Sequence, residues 1–477
     1  MRKFTVVERK GNKIILPEEM SLKMARVALK QIEDDEETPV AINEVYDAYP
    51  TEGAFAFAQA LDAEFGFYRQ VGIPGMFGSE PPQMHNIPVS ATEMTEVPWG
   101  RIEIPGVTGF VSTGFAFTEN RVKFTITGKV LKKHSSKVQA LCEATRGLIE
   151  RESIYRGKAI NVAFPNLSSK EARESFDPMH DVPRFIDTKG ISEKDLILPE
   201  DVAKQVATGL WGPIMYLEAT RRSGVPFKRG ICLEGTYGVG KSLTARVTAK
   251  VCEDNNVTFI HLKQAKDLPT AIDFAKAYQP AVIFAEDIDR VTGGTRDEAM
   301  DELLNTIDGV GAKGTEIMVV LTTNHVDMIH EAMLRPGRLD QVIHIAPPDA
   351  AAVEALVRLF ANKLIDQGES LVRFGELLAG EIPAVVRECV ERAKLASIVR
   401  TQGRAVRASI NEEDLLVAGA GLLAQRHALR REPATSASML DALGNKIGEG
   451  LGKVLKTELS ESGLRRASHQ LQLRGKE

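Results

Sequence analysis

Cysteine is scarce in this chain. There are four in 477 residues, Cys142, Cys232, Cys252 and Cys389, and no two form a Cys-x-x-Cys pair. That spacing argues against a disulfide scaffold or a zinc site built from neighbouring positions; buried thiols in a reducing compartment are expected. Long apolar runs are missing too. No stretch approaches the ~18 consecutive apolar residues that cross a bilayer. The opening Met1-Arg-Lys-Phe-Thr leads into charged residues without the apolar core of a secretory signal. A cytoplasmic protein with no membrane partner is the expectation. An excess of one charge is also absent: 60 basic against 65 acidic residues give −5. That balance does not suit a protein built to coat nucleic acid, although local basic patches stay open. The nine histidines show no metal-ligand spacing, and no His-Glu-x-x-His occurs. His325 and His344 read as strand-end polar and core residues.

Hydrophobic residues supply 43 % of the chain and charged residues 26 %, ample for real cores. At roughly 150 residues per domain the length predicts two to four domains. Residues 1–164 read as an α+β domain for client or partner recognition. It has a strand at Phe4–Val7, helices near Ser21–Ile32, Gly53–Phe65 and Ser136–Glu152, and alternating strands at Arg101–Ile104, Gly109–Phe117 and Arg121–Val130, with a turn at Glu119-Asn120. The acidic run Glu33–Glu37 reads as a solvated helix end. Residues 165–195, rich in Pro and Ser, read as a linker. Residues 196–348 alternate apolar β-branched runs (Ile231–Leu233, Val257–Leu262, Ala281–Ala285, Ile317–Leu321, Val342–Ile345) with helical stretches. That alternation is the pattern of a parallel sheet buried on both faces. Residues 349–431 are helical throughout, and 432–477 form a polar, glycine-weakened tail.

The strongest chemical signal is Gly235-Thr236-Tyr237-Gly238-Val239-Gly240-Lys241-Ser242, which fits G-x-x-x-x-G-K-[ST] at every fixed position. It follows an apolar strand and precedes a helix that starts at Leu243. Glycines let successive N–H groups turn toward phosphate oxygens, and the helix N-terminus adds partial positive charge. Lys241 reaches the β- and γ-phosphates, and the Ser242 hydroxyl is suited to Mg²⁺. The second signal is a buried strand that ends in adjacent carboxylates, Glu286 and Asp287. By position, Glu286 belongs to the Mg²⁺ shell and Asp287 to the attacking water. A third is Ile317–Leu321 running into Thr322-Thr323-Asn324-His325, where Asn324 can orient that water or contact the γ-phosphate. Arg335 and Arg338 flank the stiff Pro336-Gly337 pair, and their planar guanidinium groups suit a γ-phosphate presented by a neighbouring subunit.

Together with Leu303–Val310, these motifs occur in the order and spacing of an AAA ATPase module, which roughly Leu196 to Leu429 resembles. The resemblance implies an α/β fold: a P-loop NTPase parallel sheet with a small all-helical lid domain, here preceded by the α+β N-terminal domain. It implies ATP as substrate with Mg²⁺, a homo-oligomeric ring that is usually a hexamer, Asn324 as sensor, and Arg335 and Arg338 as arginine fingers. Gly380–Ala384 resembles the lid turn near the adenine. Two features depart from the common pattern. The acidic pair is Glu-Asp rather than Asp-Glu, which together with Thr-Thr-Asn-His is similar to the AAA proteins typified by the mitochondrial Rieske-protein translocase. The segment after Phe259 is also short, and Leu262-Lys263-Gln264-Ala265-Lys266 stands where unfoldases carry an aromatic-apolar-glycine triplet.

The leading functional expectation is an ATP-driven remodeller of a protein client whose identity the sequence does not give. The alternative is an AAA motor or accessory acting on nucleic acid through Lys132, Lys133, His134 and Lys137, or through Arg426, Arg430 and Arg431. A third is a nucleotide-binding scaffold with little turnover.

Overall fold

The computed structural model describes residues 4–9, 12–17, 21–66, 74–75, 78–79, 83–117, 121–162, 164, 176–289, 315–325, 338–402 and 409–429. The chain divides into two compact units, Met1–Asp187 with Thr270–Gln279, and Thr188–Pro269 with Pro280–Glu477.

The first unit is α+β. It begins with an antiparallel hairpin of β1 (Phe4–Arg9) and β2 (Asn12–Pro17). Helix α1 (Leu22–Glu36) starts where the Ser21 side chain accepts the Met24 N–H, a standard N-cap. Strand β3 (Pro39–Tyr46) alternates exposed and inward positions, so that Ile42 and Tyr46 face the core. Helix α2 (Pro50–Phe65) has proline in its first turn and stops at Gly66, whose φ of +66° favours glycine. Strands β4 (Gln83–Pro88) and β5 (Met94–Trp99) form a second hairpin. Then come β6 (Arg101–Ile102), β7 (Gly109–Phe117), β8 (Val122–Leu131) and α3 (Ser135–Arg151). The main antiparallel sheet runs β3-β8-β7-β6. Its core gathers Tyr46, Phe57, Leu61, Phe124 and Leu141, all buried. Burying each such side chain is worth about 1.5–3 kcal/mol. Helix α2 lies so close to β8 that a Cβ on Gly53 would stand 2.1 Å from the Phe124 ring.

One feature of this unit was not legible in the sequence. Glu52, at the start of α2, is buried and accepts hydrogen bonds from the Ser153 hydroxyl and from the Tyr278 hydroxyl (2.6 Å). The Tyr278 oxygen in turn accepts the Tyr49 N–H (3.1 Å), and Thr51 and Tyr155 share a hydrogen bond (2.8 Å). Tyr278 comes from Thr270–Gln279, far along the chain. Burial pushes the Glu52 carboxyl up to about 7, although its hydrogen bonds pull the other way.

The acidic run that closes α1 is largely exposed, as expected, and two of its carboxylates meet lysines at the surface: Asp35 pairs with Lys132 (2.7 Å) and Glu37 with Lys133 (3.7 Å). Two lysines of the basic cluster therefore already face carboxylates, which weakens the nucleic-acid expectation. The Glu119-Asn120 turn lies outside the described residues.

In the second unit, α4 (Glu200–Gln205) precedes five parallel strands: β11 (Arg229–Glu234), β12 (Thr258–Leu262), β13 (Ala281–Ala285), β14 (Ile317–Thr323) and β15 (Gln341–His344), where β9 (Ala159–Asn161) and β10 (Arg184–Phe185) are an antiparallel pair of the first unit. Their order is β12-β13-β14-β11-β15. Every residue of β13 and β14 is buried, as the continuous apolar runs require. Helix α5 (Lys241–Asp254) follows β11 and is tied down by Trp211, whose Nε1–H donates to Thr248 Oγ1 (3.0 Å). After Pro348 come α6 (Ala350–Ala361), α7 (Val372–Leu378), α8 (Pro383–Arg400) and α9 (Glu412–Leu429). They close on Val353, Phe374, Leu378, Val386, Cys389 and Leu415. The sheet and these helices match the expected α/β fold with a helical C-terminal region. All four cysteines are buried and free. Among the described residues no helix is long and apolar enough to cross a membrane.

Candidate active site

The phosphate loop leaves β11 at Glu234 and enters α5 at Lys241. Gly238 and Gly240 have φ of +83° and +117°, which β-carbon-bearing residues rarely adopt. Thr236, Tyr237 and Gly238 are exposed, whereas Gly235 and Val239 are buried. A β-carbon on Gly238 would meet the Ile382 side chain at 3.1 Å, and one on Gly240 would meet Leu196 at 3.8 Å. The turn Gly380–Ala384 thus stands beside the phosphate loop. Glu381 of that turn pairs with Arg426 of α9, so Arg426 is engaged within its own unit; Arg430 and Arg431 lie outside the described residues.

Lys241 is buried. Its Nζ donates to Gly235 O, to Thr236 O (2.9 Å) and to Asn324 Oδ1 (2.8 Å). Burial lowers its pKa, opposed by Asp287, Asp289, Glu234 and Glu286 in that order. Asn324 Nδ2 donates onward to Asp287 Oδ1 (3.3 Å). The sheet order explains this meeting. The acidic strand β13 is not the immediate neighbour of the phosphate-loop strand β11; β14 lies between them, and Asn324 follows its end. One amide therefore touches both groups, at the C-terminal edge where ligands bind in parallel sheets.

The two acids point to different partners. Glu286 is within reach of the Ser242 hydroxyl and of His261, whose Nε2 is 3.6 Å from Glu286 Oε1. His261 first, then Ser242 and the charge of Lys241, hold the Glu286 carboxyl below its ordinary pKa against the cost of burial. Asp287 has a left-handed backbone, φ +52°. Its N–H donates to Thr322 Oγ1 (3.1 Å), and the next N–H, of Ile288, to Thr322 O (2.9 Å). Among β-carbon-bearing residues, Asp and Asn tolerate that region best. The backbone turn thus supplies a physical reason for the shorter acid at the second place of the pair.

Two supporting groups were missed in the sequence. Asp289 is buried, and its Oδ1 accepts from Thr323 Oγ1 (2.9 Å) and from the Asn324 N–H (3.3 Å), which fixes the strand end that carries Asn324. The visible signal was Thr322-Thr323, a polar close to an otherwise apolar strand. His261 is the other. His344 departs from its expectation: it is exposed at the end of β15 and pairs with Glu234 instead of entering the core. His325 is exposed at the end of its strand. Arg338 is half-buried. Arg335 and Leu303–Val310 lie outside the described residues.

The donor set suits Mg²⁺, which takes one or two protein oxygens and completes its shell with water and phosphate. Here a hydroxyl and a carboxylate converge, and no cluster of three or more His, Cys, Asp or Glu that could hold a metal alone occurs among the described residues.

Residues 231–347 match the family described as "ATPase family associated with various cellular activities (AAA)". The chain is similar to the probable 26S proteasome regulatory subunit 10B of Caenorhabditis elegans, at 25 % identity over 272 residues, 51 % of this chain and 66 % of that protein. It is similar to proteasome-activating nucleotidase 1 of Halobacterium salinarum, at 24 % over 292 residues, 56 % of this chain and 70 % of the relative. The 26S proteasome regulatory subunit 8 homolog of Schizosaccharomyces pombe gives 28 % over 244 residues, 47 % of this chain and 59 % of the relative. The matches thus span between 59 % and 70 % of the relatives' own length. The sheet order and the phosphate loop agree with that family match over residues 231–347.

Proposed function

We propose that this chain binds ATP with Mg²⁺, hydrolyses it to ADP and phosphate, and uses the cycle to remodel a protein client as a cytoplasmic ring, by family habit a hexamer. One observation carries the reading: Lys241, Asn324 and Asp287 form a single hydrogen-bonded chain, with Glu286 set beside Ser242 at the same strand ends. An arriving phosphate offers Lys241 a better partner than the two loop carbonyls it now holds. Gly235 to Leu243 then wrap the phosphates with backbone N–H groups and the start of α5. Ser242 and Glu286 are the groups to hold the metal, whose charge would offset that of the phosphate oxygens. Asp287 takes the proton of the attacking water, and Asn324 orients that water. The Glu-Asp order, of the Rieske-translocase type, fits this division because Asp287 sits on a left-handed turn.

Arg335 and Arg338 are assigned as fingers toward a neighbouring subunit from the family resemblance. The relatives' names, proteasome regulatory subunits and a proteasome-activating nucleotidase, support a protein client. No aromatic-apolar-glycine triplet follows β12, so threading is not part of the proposal. The first unit, residues 1–164 of which carry none of the family's motifs, is assigned client selection. Phosphate release should be ATP-dependent and should disappear in Arg335→Ala while nucleotide binding persists. Asp287→Asn, purified with ATP, should retain a protein that leaves when ATP is omitted. Phosphate release by Arg335→Ala at the wild-type rate would sink the shared-site part of the reading; nucleic acid in place of a protein would sink the client part.

A further inference from the structure

We infer that His261 is a positioning residue for Glu286, and that it sets how tightly the site takes up the divalent cation that accompanies the nucleotide. The inference rests on the nucleotide reading above and adds a residue that no motif includes. Strand β12 is otherwise made of buried residues, Thr258, Phe259, Ile260 and Leu262. A histidine in such a strand loses hydration unless its polar edge finds a partner. The parallel register places His261 opposite Phe284, two residues before Glu286.

Three contacts follow from that register. The His261 ring lies against the Phe284 ring, with centroids 6.4 Å apart and planes tilted by 37°. The Glu286 N–H donates to Leu262 O, the residue after His261, at 3.3 Å. His261 Nε2 stands 3.6 Å from Glu286 Oε1, with the His261 side chain 19 % exposed and that of Glu286 30 % exposed. One strand therefore bonds Glu286 through the main chain and places the His261 imidazole beside its carboxylate. An imidazole with its proton on Nε2 presents an N–H to the carboxylate whether neutral or charged, so the orienting effect needs no change of protonation. On the nucleotide reading above, the metal falls to Glu286 and to the Ser242 hydroxyl of the phosphate loop. Those two groups offer the hard oxygen donors that Mg²⁺ prefers. Partners of this kind, which touch a metal-binding side chain and not the metal, typically change metal affinity by about 10–100-fold when removed.

The test uses the full-length chain, a fluorescent ATP analogue and manganese as a spectroscopic probe. Nucleotide binding is titrated first in EDTA and then against Mg²⁺, and bound Mn²⁺ is counted by electron paramagnetic resonance in the presence of the analogue. His261→Ala should bind the analogue in EDTA as the wild type does. It should need about tenfold more Mg²⁺ to reach half of the metal-dependent tightening, with a matching loss of Mn²⁺ affinity. His261→Gln, whose amide N–H can still face Glu286, should recover most of the loss. Wild-type metal dependence in His261→Ala overturns the inference and leaves the nucleotide reading standing. Equal weakening in EDTA and in Mg²⁺, without rescue by glutamine, also overturns it, because it would mark general damage to β12. A wild-type chain that binds no nucleotide under either condition overturns both readings together.

Discussion

Glu52 in the first unit and Glu286 in the second are the same side chain in opposite situations. Glu52 is sealed from solvent, and burial lifts its carboxyl to about 7. Its oxygens meet Ser153 and Tyr278, so the group is satisfied by the protein alone. Glu286 is partly open, and His261 and Ser242 keep it below the ordinary range. Its neighbours Lys241 and Asn324 are bonded to each other, and Lys241 also to a loop carbonyl. Burial alone therefore does not mark a functional carboxylate here. The closed network stabilises one arrangement, while on the proposed reading the half-open one keeps its charge for a ligand that arrives from outside.

The sharpest way to break this comparison is Lys241→Ala. It should abolish binding of a fluorescent ATP analogue while leaving the thermal unfolding of the first unit unchanged. Retained binding would refute the open-site half. Glu52→Gln addresses the closed half. The Glu52 pKa is raised in the folded state from 4.5 to about 7, so its stabilising contribution is complete below about 4.5 and is lost as pH rises through about 7. The size of the loss is about 3 kcal/mol. Unfolding of the wild type should weaken across that window, and that of Glu52→Gln should not; an unchanged slope in the variant would show that Glu52 is not the group responsible.

Tyr278→Phe should cost less, about 1–3 kcal/mol, because it leaves the Tyr49 N–H without its acceptor and removes one donor to Glu52. Denaturant midpoints measure it, and a neutral result would mean that water replaces the hydroxyl. Lys132→Ala should change stability by about 0–1 kcal/mol, since the Lys132–Asp35 pair is half-exposed. It should not alter retention on DNA at low salt. A measurable loss of retention would revive the nucleic-acid alternative.

The sequence by itself determined whatever depends on neighbours along the chain. The glycines and lysine of residues 235–241 had to form a loop between a strand and a helix, because the spacing is set by backbone geometry. The apolar runs of β13 and β14 became doubly buried parallel strands, whereas Val342–Ile345, expected to be the same, forms the edge strand β15 with Val342 exposed; the family resemblance rested on motifs of that local kind. What escaped were residues whose partners are set by strand order and register. Asp289 is unremarkable in sequence until β14 brings Thr323 and Asn324 to it. His261 looks like a stray polar residue in a buried strand until β13 places Glu286 at its edge. The acidic run of α1 is solvated as it looked, but its lysine partners, about a hundred residues away, were not visible in the sequence. Glu52 drew no reading from the sequence, and its partner Tyr278 is 226 positions further along. Only the tertiary structure could decide these points, because hydrogen bonds and desolvation depend on which atoms meet in space, whatever their separation along the chain.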